Sequence, residues 1–201
     1  MGYLPIEDHG IVGDLHTAAL IGTDGTVDWL CLPAFDSPSI FASILDDEKG
    51  GHFKLQPERY DRSQQLYLPD TNVLLTRFLS PEGVAEILDF MPVDKDGQTR
   101  HRLVRNVRAI RGRVTLNVEC RPAFDYARAG HSVALRGAGA AVFLGPGLTL
   151  GLASPDVPLE IGTRGDVRAR FELEAEESAT FVLAGLERGE GPEVAFSDRS
   201  F

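Results

Sequence analysis

Cysteine is nearly absent: the 201 residues hold two, Cys31 and Cys120, with no C-x-x-C spacing. That excludes a disulfide framework and leaves dithiol or zinc-thiolate chemistry unsupported, so both thiols are expected to be buried and reduced. Basic charge is also short, 20 Lys and Arg against 30 Asp and Glu, and a formal charge of −10 repels phosphate backbones over the whole surface. Nucleic acid and anionic membranes are therefore poor partners. Long apolar runs are missing, and Met1 to Asp8 has no basic stretch ahead of an apolar one, so neither a membrane span nor a signal peptide is read and a cytoplasmic protein is expected. The five histidines, His9, His16, His52, His101 and His131, show no H-x-H or H-E-x-x-H spacing. With no G-x-S-x-G and no phosphate-binding glycine loop either, the sequence calls for no metal and no cofactor.

What is present is ordinary globular composition, 43% apolar and 25% charged. A chain of this length buries about 70% of its unfolded surface, enough for one domain without a metal or disulfide staple. Ala18 to Gly22 and Thr26 to Cys31 flank Thr23-Asp24-Gly25, and the Asp-Gly pair supplies the positive φ of a tight hairpin. Val73 to Leu79 and Val84 to Met91 flank Ser80-Pro81-Glu82-Gly83 in the same way. Val114, Leu116, Val118 and Cys120 alternate with polar residues, as do Val167, Ala169, Phe171 and Leu173, which is the period of a half-buried strand. Shorter β-prone runs near 133–135, 141–144, 148–152, 159–161 and 179–186 complete about a dozen strands, and crossover helices are missing. The fold expected is all-β, a large antiparallel β-sandwich. One short helix is expected near residues 38–46, with Ser37 as cap, Pro38 at the first position and Ile40, Phe41, Ile44 and Leu45 at helical spacing.

Candidates for chemistry each have a structural explanation. Asp24 and Asp36 suit a turn and a helix cap, and Glu86 and Asp89 stand three apart on one strand and so on opposite faces. The one basic stretch, Arg100, Arg102, Arg105, Arg108, Arg111 and Arg113, lacks the interleaved aromatics of an RNA-binding strand and reads as a solvated face, with a docking surface as the other option. Trp29 shares strand parity with Val27 and Cys31, which makes it a core aromatic rather than a platform for sugar.

The residues Tyr3-Leu4-Pro5-Ile6-Glu7-Asp8-His9-Gly10, Ile11-Val12-Gly13-Asp14, Thr17 to Ile21, Asp24 to Pro33 and Phe35 to Ala42 together resemble the start of bacterial glucoamylase- and trehalase-type enzymes of glycoside hydrolase family 15. Tyr67 to Leu74, Asp89-Phe90-Met91-Pro92 and Pro122-Ala123-Phe124-Asp125-Tyr126 are similar to later markers of the same trehalase-like N-terminal domain. Two positions depart from that pattern: His16, where relatives often carry arginine or another polar residue, and Ala34, where an arginine commonly follows the proline. The resemblance implies a β-sandwich whose catalytic acid and base lie elsewhere, on an α/α-barrel domain C-terminal to it. On that basis residues 1–190 are read as one β-sandwich domain and 191–201 as a tail or the start of a linker to that barrel. The implied function is a non-catalytic accessory domain that packs on the barrel and helps shape the rim of an α-glucoside pocket, with an α-glucan or trehalose as the possible ligand. His9, Asp14, Trp29, Asp36 and Phe41, in the segment densest in these motifs, are the candidates for the rim or the domain interface. An autonomous carbohydrate-binding module is the alternative, weakened by a supply of one Trp and four Tyr.

Overall fold

The computed structural model describes residues 3–93, 101–187 and 190–191. After a 3-10 turn at Ile6–Asp8 the described chain is built of strands. Those of the first half are β1 His9–Gly13, β2 Ala18–Gly22, β3 Thr26–Cys31, β4 Ser39–Ala42, β5 His52–Pro57, β6 Arg62–Tyr67, β7 Leu74–Leu79 and β8 Gly83–Phe90. The second half contributes β9 Arg102–Gly112, β10 Val114–Arg121, β11 Ser132–Leu135, β12 Ala140–Gly145, β13 Leu148–Ala153, β14 Glu160–Ile161, β15 Val167–Leu173 and β16 Ser178–Leu186. They form two eight-stranded antiparallel sheets. The first runs β1-β2-β3-β5-β10-β15-β14 with β4 also on β3, and the second runs β11-β12-β13-β16-β9-β8-β7-β6. No described helix is long and apolar enough to cross a membrane. The tail read over 191–201 lies, from 192 on, outside the described residues.

Both hairpins and the alternating strands fall where their patterns put them, because a period of two leaves one face to bury. The inner faces meet in a single core whose largest fully buried apolar side chains include Phe41, Phe53, Phe78, Phe143 and Phe181. Each such side chain adds about 1.5–3 kcal/mol of transfer free energy. Gly25 (φ +79°) shows why the first turn needs glycine: a Cβ there would stand 2.2 Å from the Leu55 carbonyl oxygen.

The helix expected near 38–46 is not there. Ser39–Ala42 is a fully buried strand whose Phe41 and Ala42 face Leu30 and Trp29 of β3. Pairing with β3 outweighs a weak local preference for helix, and Leu45, which the helical reading buries, is 65% exposed. Ser37 Oγ accepts from the Ala34 amide, closing a turn instead of capping a helix.

The basic stretch is not a solvated face either. Arg108, Arg111 and Arg113 are exposed, but Arg102 and Arg105 are buried, Arg105 completely. From β9 of one sheet, Arg105 grips Asp89 of β8 through two nitrogens (2.7 and 3.2 Å). It reaches across the sandwich to donate to the carbonyls of Phe53 (2.7 Å) and Gly25 (2.8 Å) in the other sheet. Its guanidinium also lies over the Phe53 ring, 4.9 Å from the centroid. Glu86, on the opposite parity from Asp89, stays at the surface against Arg77.

At the open side of the sandwich the Tyr67 hydroxyl donates to the carbonyl of Ile11 (2.9 Å) and accepts from its amide (2.8 Å). Asn72 Nδ2 donates to the Gly13 carbonyl at 3.0 Å. These two contacts fasten the β6–β7 side of one sheet to the free edge of β1 in the other.

Replacing Arg105 by Met should cost about 3–5 kcal/mol in urea unfolding, the range for breaking a buried ion pair. Adding Asp89→Leu should recover only part of it, because the Phe53 and Gly25 carbonyls still lack their donor. Full recovery in the double variant would show that those two bonds contribute nothing.

Candidate functional site

The two ends of the sandwich differ. At one end the strands are joined by short segments, 23–25, 58–61, 80–82, 113, 136–139 and 174–177, with 154–159 the longest. At the other lie 14–17, 32–38, 68–73, 122–131, the two-residue turn 146–147 and 162–166, together with 91–93 and His101 at the two ends of the β8–β9 connection, while 43–51 leaves β4 beside the middle of β3 and lines a cleft on the outer face. β16 also runs toward this second end, where Leu186 pairs with Thr149 at the start of β13. Long irregular connections held at one end of a rigid sandwich are the usual place for binding and recognition.

The order of this end depends on Asp14. The residue is fully buried, and its Oδ1 accepts from the amides of His16 and Thr17, both at 2.9 Å. Its Oδ2 lies 2.6 Å from Nδ1 of His101, at the start of β9 in the other sheet. The rings of His16 and His101 meet edge to face at 5.5 Å. Burial alone would raise the Asp14 carboxyl, but the His101 bond and the two amides outweigh it and hold the carboxyl below its ordinary range. The turn so held places Leu15 in the left-handed region (φ 76°) with 80% of its surface exposed. Phe35, whose amide donates to the His16 carbonyl, is 62% exposed, and Asp36 next to it is exposed as well.

Trp29 is half-buried on the outer face of its sheet, not in the core. Parity fails because β3 carries a bulge: Leu20 faces Trp29 while Ile21 faces Val27, which leaves Asp28 as the extra residue. Val27 and Leu30 are then the buried neighbours, and Trp29 turns out to meet Tyr126 with ring centroids 6.2 Å apart. Tyr126 belongs to a run of three non-glycine residues at positive φ, Asp125 (53°), Tyr126 (55°) and Ala127 (62°). Such a run costs on the order of 1–2 kcal/mol per residue and is sustained by the packing around it.

His9 leaves this end altogether. Its Nδ1 donates to the Pro5 carbonyl (2.9 Å), and its Nε2 shares a hydrogen with Asp28 Oδ2 at 2.6 Å. Asp28 lines a cleft of about 650 Å³ on the outer face, together with Asp24, His52, Lys54, Arg121 and Arg164. Burial raises the Asp28 carboxyl against the opposing pull of His9. Burial, followed by the nearby Arg121, lowers the His52 imidazole below its ordinary range. Asp24 holds the hairpin turn, accepting from the Thr26 amide and hydroxyl.

Of the five residues expected at a rim or interface, Asp14 and Asp36 thus come together at the long-loop end, and Trp29 stands on the adjoining outer face. His9 belongs to the Asp28 cleft, and Phe41 is fully buried in the core. Sequence reading missed His101, which meets Asp14 across 87 positions of chain and carries no local signal. It also missed Leu15 and Phe35, which a large apolar residue inside a tight turn between β-prone runs would have flagged.

Replacing Asp14 by Asn should cost about 1.5–3 kcal/mol, the range for hydrogen bonds to a charged group. Because the native carboxyl is depressed, its stabilisation is complete above the ordinary carboxylate range and is lost as pH falls through the lowered value. Urea midpoints from about pH 6 down to about pH 2 should therefore fall more for the parent chain than for the variant. Trp29→Ala should cost about 1–2 kcal/mol, well under the 3–5 of a fully buried tryptophan, and iodide should quench the Trp29 fluorescence of the folded chain.

The family model described as "Trehalase-like, N-terminal" matches residues 2–192. The chain is 36% identical to the trehalase of Mycobacterium tuberculosis over 143 residues, covering 63% of this chain and 21% of that protein. It is 36% identical to the trehalase of Thermoplasma volcanium over 131 residues, covering 62% of this chain and 21% of that one. Trehalase 2 of Sulfolobus acidocaldarius matches at 35% over 103 residues, covering 51% of this chain and 16% of the relative. The chain therefore spans about a fifth of the length of these curated relatives. With the motif-bearing segments, the two-sheet architecture and a match running from residue 2 to residue 192, the chain belongs to the family of trehalase-like N-terminal domains.

Proposed function

We propose that this chain is the non-catalytic N-terminal domain of a cytoplasmic enzyme that hydrolyses trehalose or a related α-glucoside, an inverting glycoside hydrolase of the family 15 type. In this reading it packs on an α/α-barrel catalytic region of the same polypeptide and supplies part of the rim of its pocket. The observation that carries the reading is the asymmetry of the sandwich. In a chain that spans a fifth of its trehalase relatives, the long connections and several exposed apolar side chains gather at the end toward which the last strand runs.

The carboxylates support a supporting role over a chemical one. Inverting hydrolysis needs one protonated and one ionised carboxyl facing each other across a sugar. Among the described residues the four buried aspartates each answer to a cationic or imidazole group instead: Asp14 to His101, Asp28 to His9, Asp89 to Arg105 and Asp166 to Arg168.

The chain alone should release no glucose from trehalose or maltose, and turnover that vanishes on changing one carboxylate here would overturn the reading. The outward Trp29 beside Tyr126 favours an independent carbohydrate-binding module. Calorimetry separates the two: affinity for trehalose or maltose of about 1 mM or weaker is expected from one wall of a shared pocket, whereas micromolar binding would establish the module.

A further inference from the structure

Leu15 is the least economical residue at the long-loop end. A leucine at φ 76° is an uncommon occupant of the left-handed region, where asparagine or glycine sits with less strain. Strain of this kind is ordinarily compensated by packing, yet the side chain is 80% exposed. The backbone is nevertheless held firmly: Asp14 accepts from the two amides that follow Leu15, the Asp14 amide donates to the Thr17 carbonyl, and His101 ties the carboxylate to the other sheet. The Asp14–His101 contact and three hydrogen bonds thus hold an apolar side chain in water. The Phe35 amide donates to the carbonyl of His16, the residue after Leu15, and the Phe35 side chain is itself 62% exposed.

The relatives are about five times as long as the matched segment, and the last described strand, β16, runs toward this same end. At the opposite end Ile6 and Tyr3 are exposed as well, on the segment that enters β1, but neither stands at positive φ.

We infer that Leu15 and Phe35 are the anchors that seat this domain in an apolar depression of the C-terminal region of the same polypeptide, with the Asp14–His101 pair fixing the turn that presents Leu15. The inference rests on the accessory-domain reading and adds to it the face and the side chains that make the contact. Asp14 and His101 act as positioning residues, and the apolar contact is made by Leu15 and Phe35.

The test replaces the matched segment of the Mycobacterium tuberculosis trehalase by this chain and compares hydrogen exchange in that chimera with exchange in the 201-residue chain alone. Amides of 14–17 and 32–38 should exchange at least tenfold more slowly in the chimera, and Leu15→Asn with Phe35→Ser should abolish that protection. Leu15→Asn in the isolated chain should leave its Tm unchanged or raise it, since the strained residue is removed and no internal contact is lost. A fall of several degrees would show that Leu15 serves the domain's own fold. Protection elsewhere, for instance over the Asp28 cleft, with none at 14–17 and 32–38 would overturn this inference and leave the accessory-domain reading standing. No protection anywhere would remove both. A concentration-dependent dimer of the isolated chain that Leu15→Asn dissolves would assign the surface to a second copy. Should the chimera fail to fold, the M. tuberculosis trehalase is compared with its own isolated N-terminal segment over the aligned turns, with the same outcomes deciding.

Discussion

The two sheets are held in register by one fully buried guanidinium. A sandwich closed by apolar contact alone could slide, because dispersion and hydrophobic burial carry little directional information. Arg105 removes that freedom. Its Nε and Nη2 donate to Asp89 in its own sheet, while Nη2 also donates to the backbone carbonyl of Gly25 and Nη1 to that of Phe53 in the other. Those two acceptors sit on a strand and on the turn of the first hairpin, so the same side chain also fixes where that hairpin stands. Desolvating a guanidinium is expensive, and a site that satisfies it in only one geometry favours that geometry.

The motif-bearing segments divide by task. Tyr67 and Asn72, in the Tyr67 to Leu74 segment, fasten an edge; Asp89 holds Arg105; Phe124 is buried, and the residues after it form the left-handed turn against Trp29. The later markers are thus explained by folding. In the earlier, denser segment, Leu15, Phe35 and Asp36 stand exposed at the end where the long connections meet.

The all-β architecture, both hairpins and the alternating strands were legible in the sequence because each depends on local periodicity and turn chemistry, as Asp24-Gly25 and Val114 to Cys120 show. The misreadings share a cause: each needed information from a distant strand. Parity put Trp29 inside because it cannot register the extra residue at Asp28, which is defined only by the pairing of β3 with β2. Ile40 to Leu45 has helical spacing, yet a partner strand with a vacant edge claimed it. Arg105 looked like its exposed neighbours until Asp89 and two carbonyls were brought around it. Asp14 was singled out, whereas its partner His101 lies in the other sheet and Phe41, named beside it, fills the core.

The Tyr67 hydroxyl has a meaning beyond this fold. An unpaired strand at the border of a sheet is a template on which another molecule's strand can grow, and most proteins blunt it with lysine, proline or a covering helix. Here one phenol occupies both the amide and the carbonyl of Ile11, and Asn72 takes the carbonyl of Gly13. Two neutral side chains close that stretch of border without adding charge. Resistance to end-on polymerisation at β1 therefore does not depend on ionic strength, and it is set by oxygen and nitrogen atoms that the sheet opposite supplies.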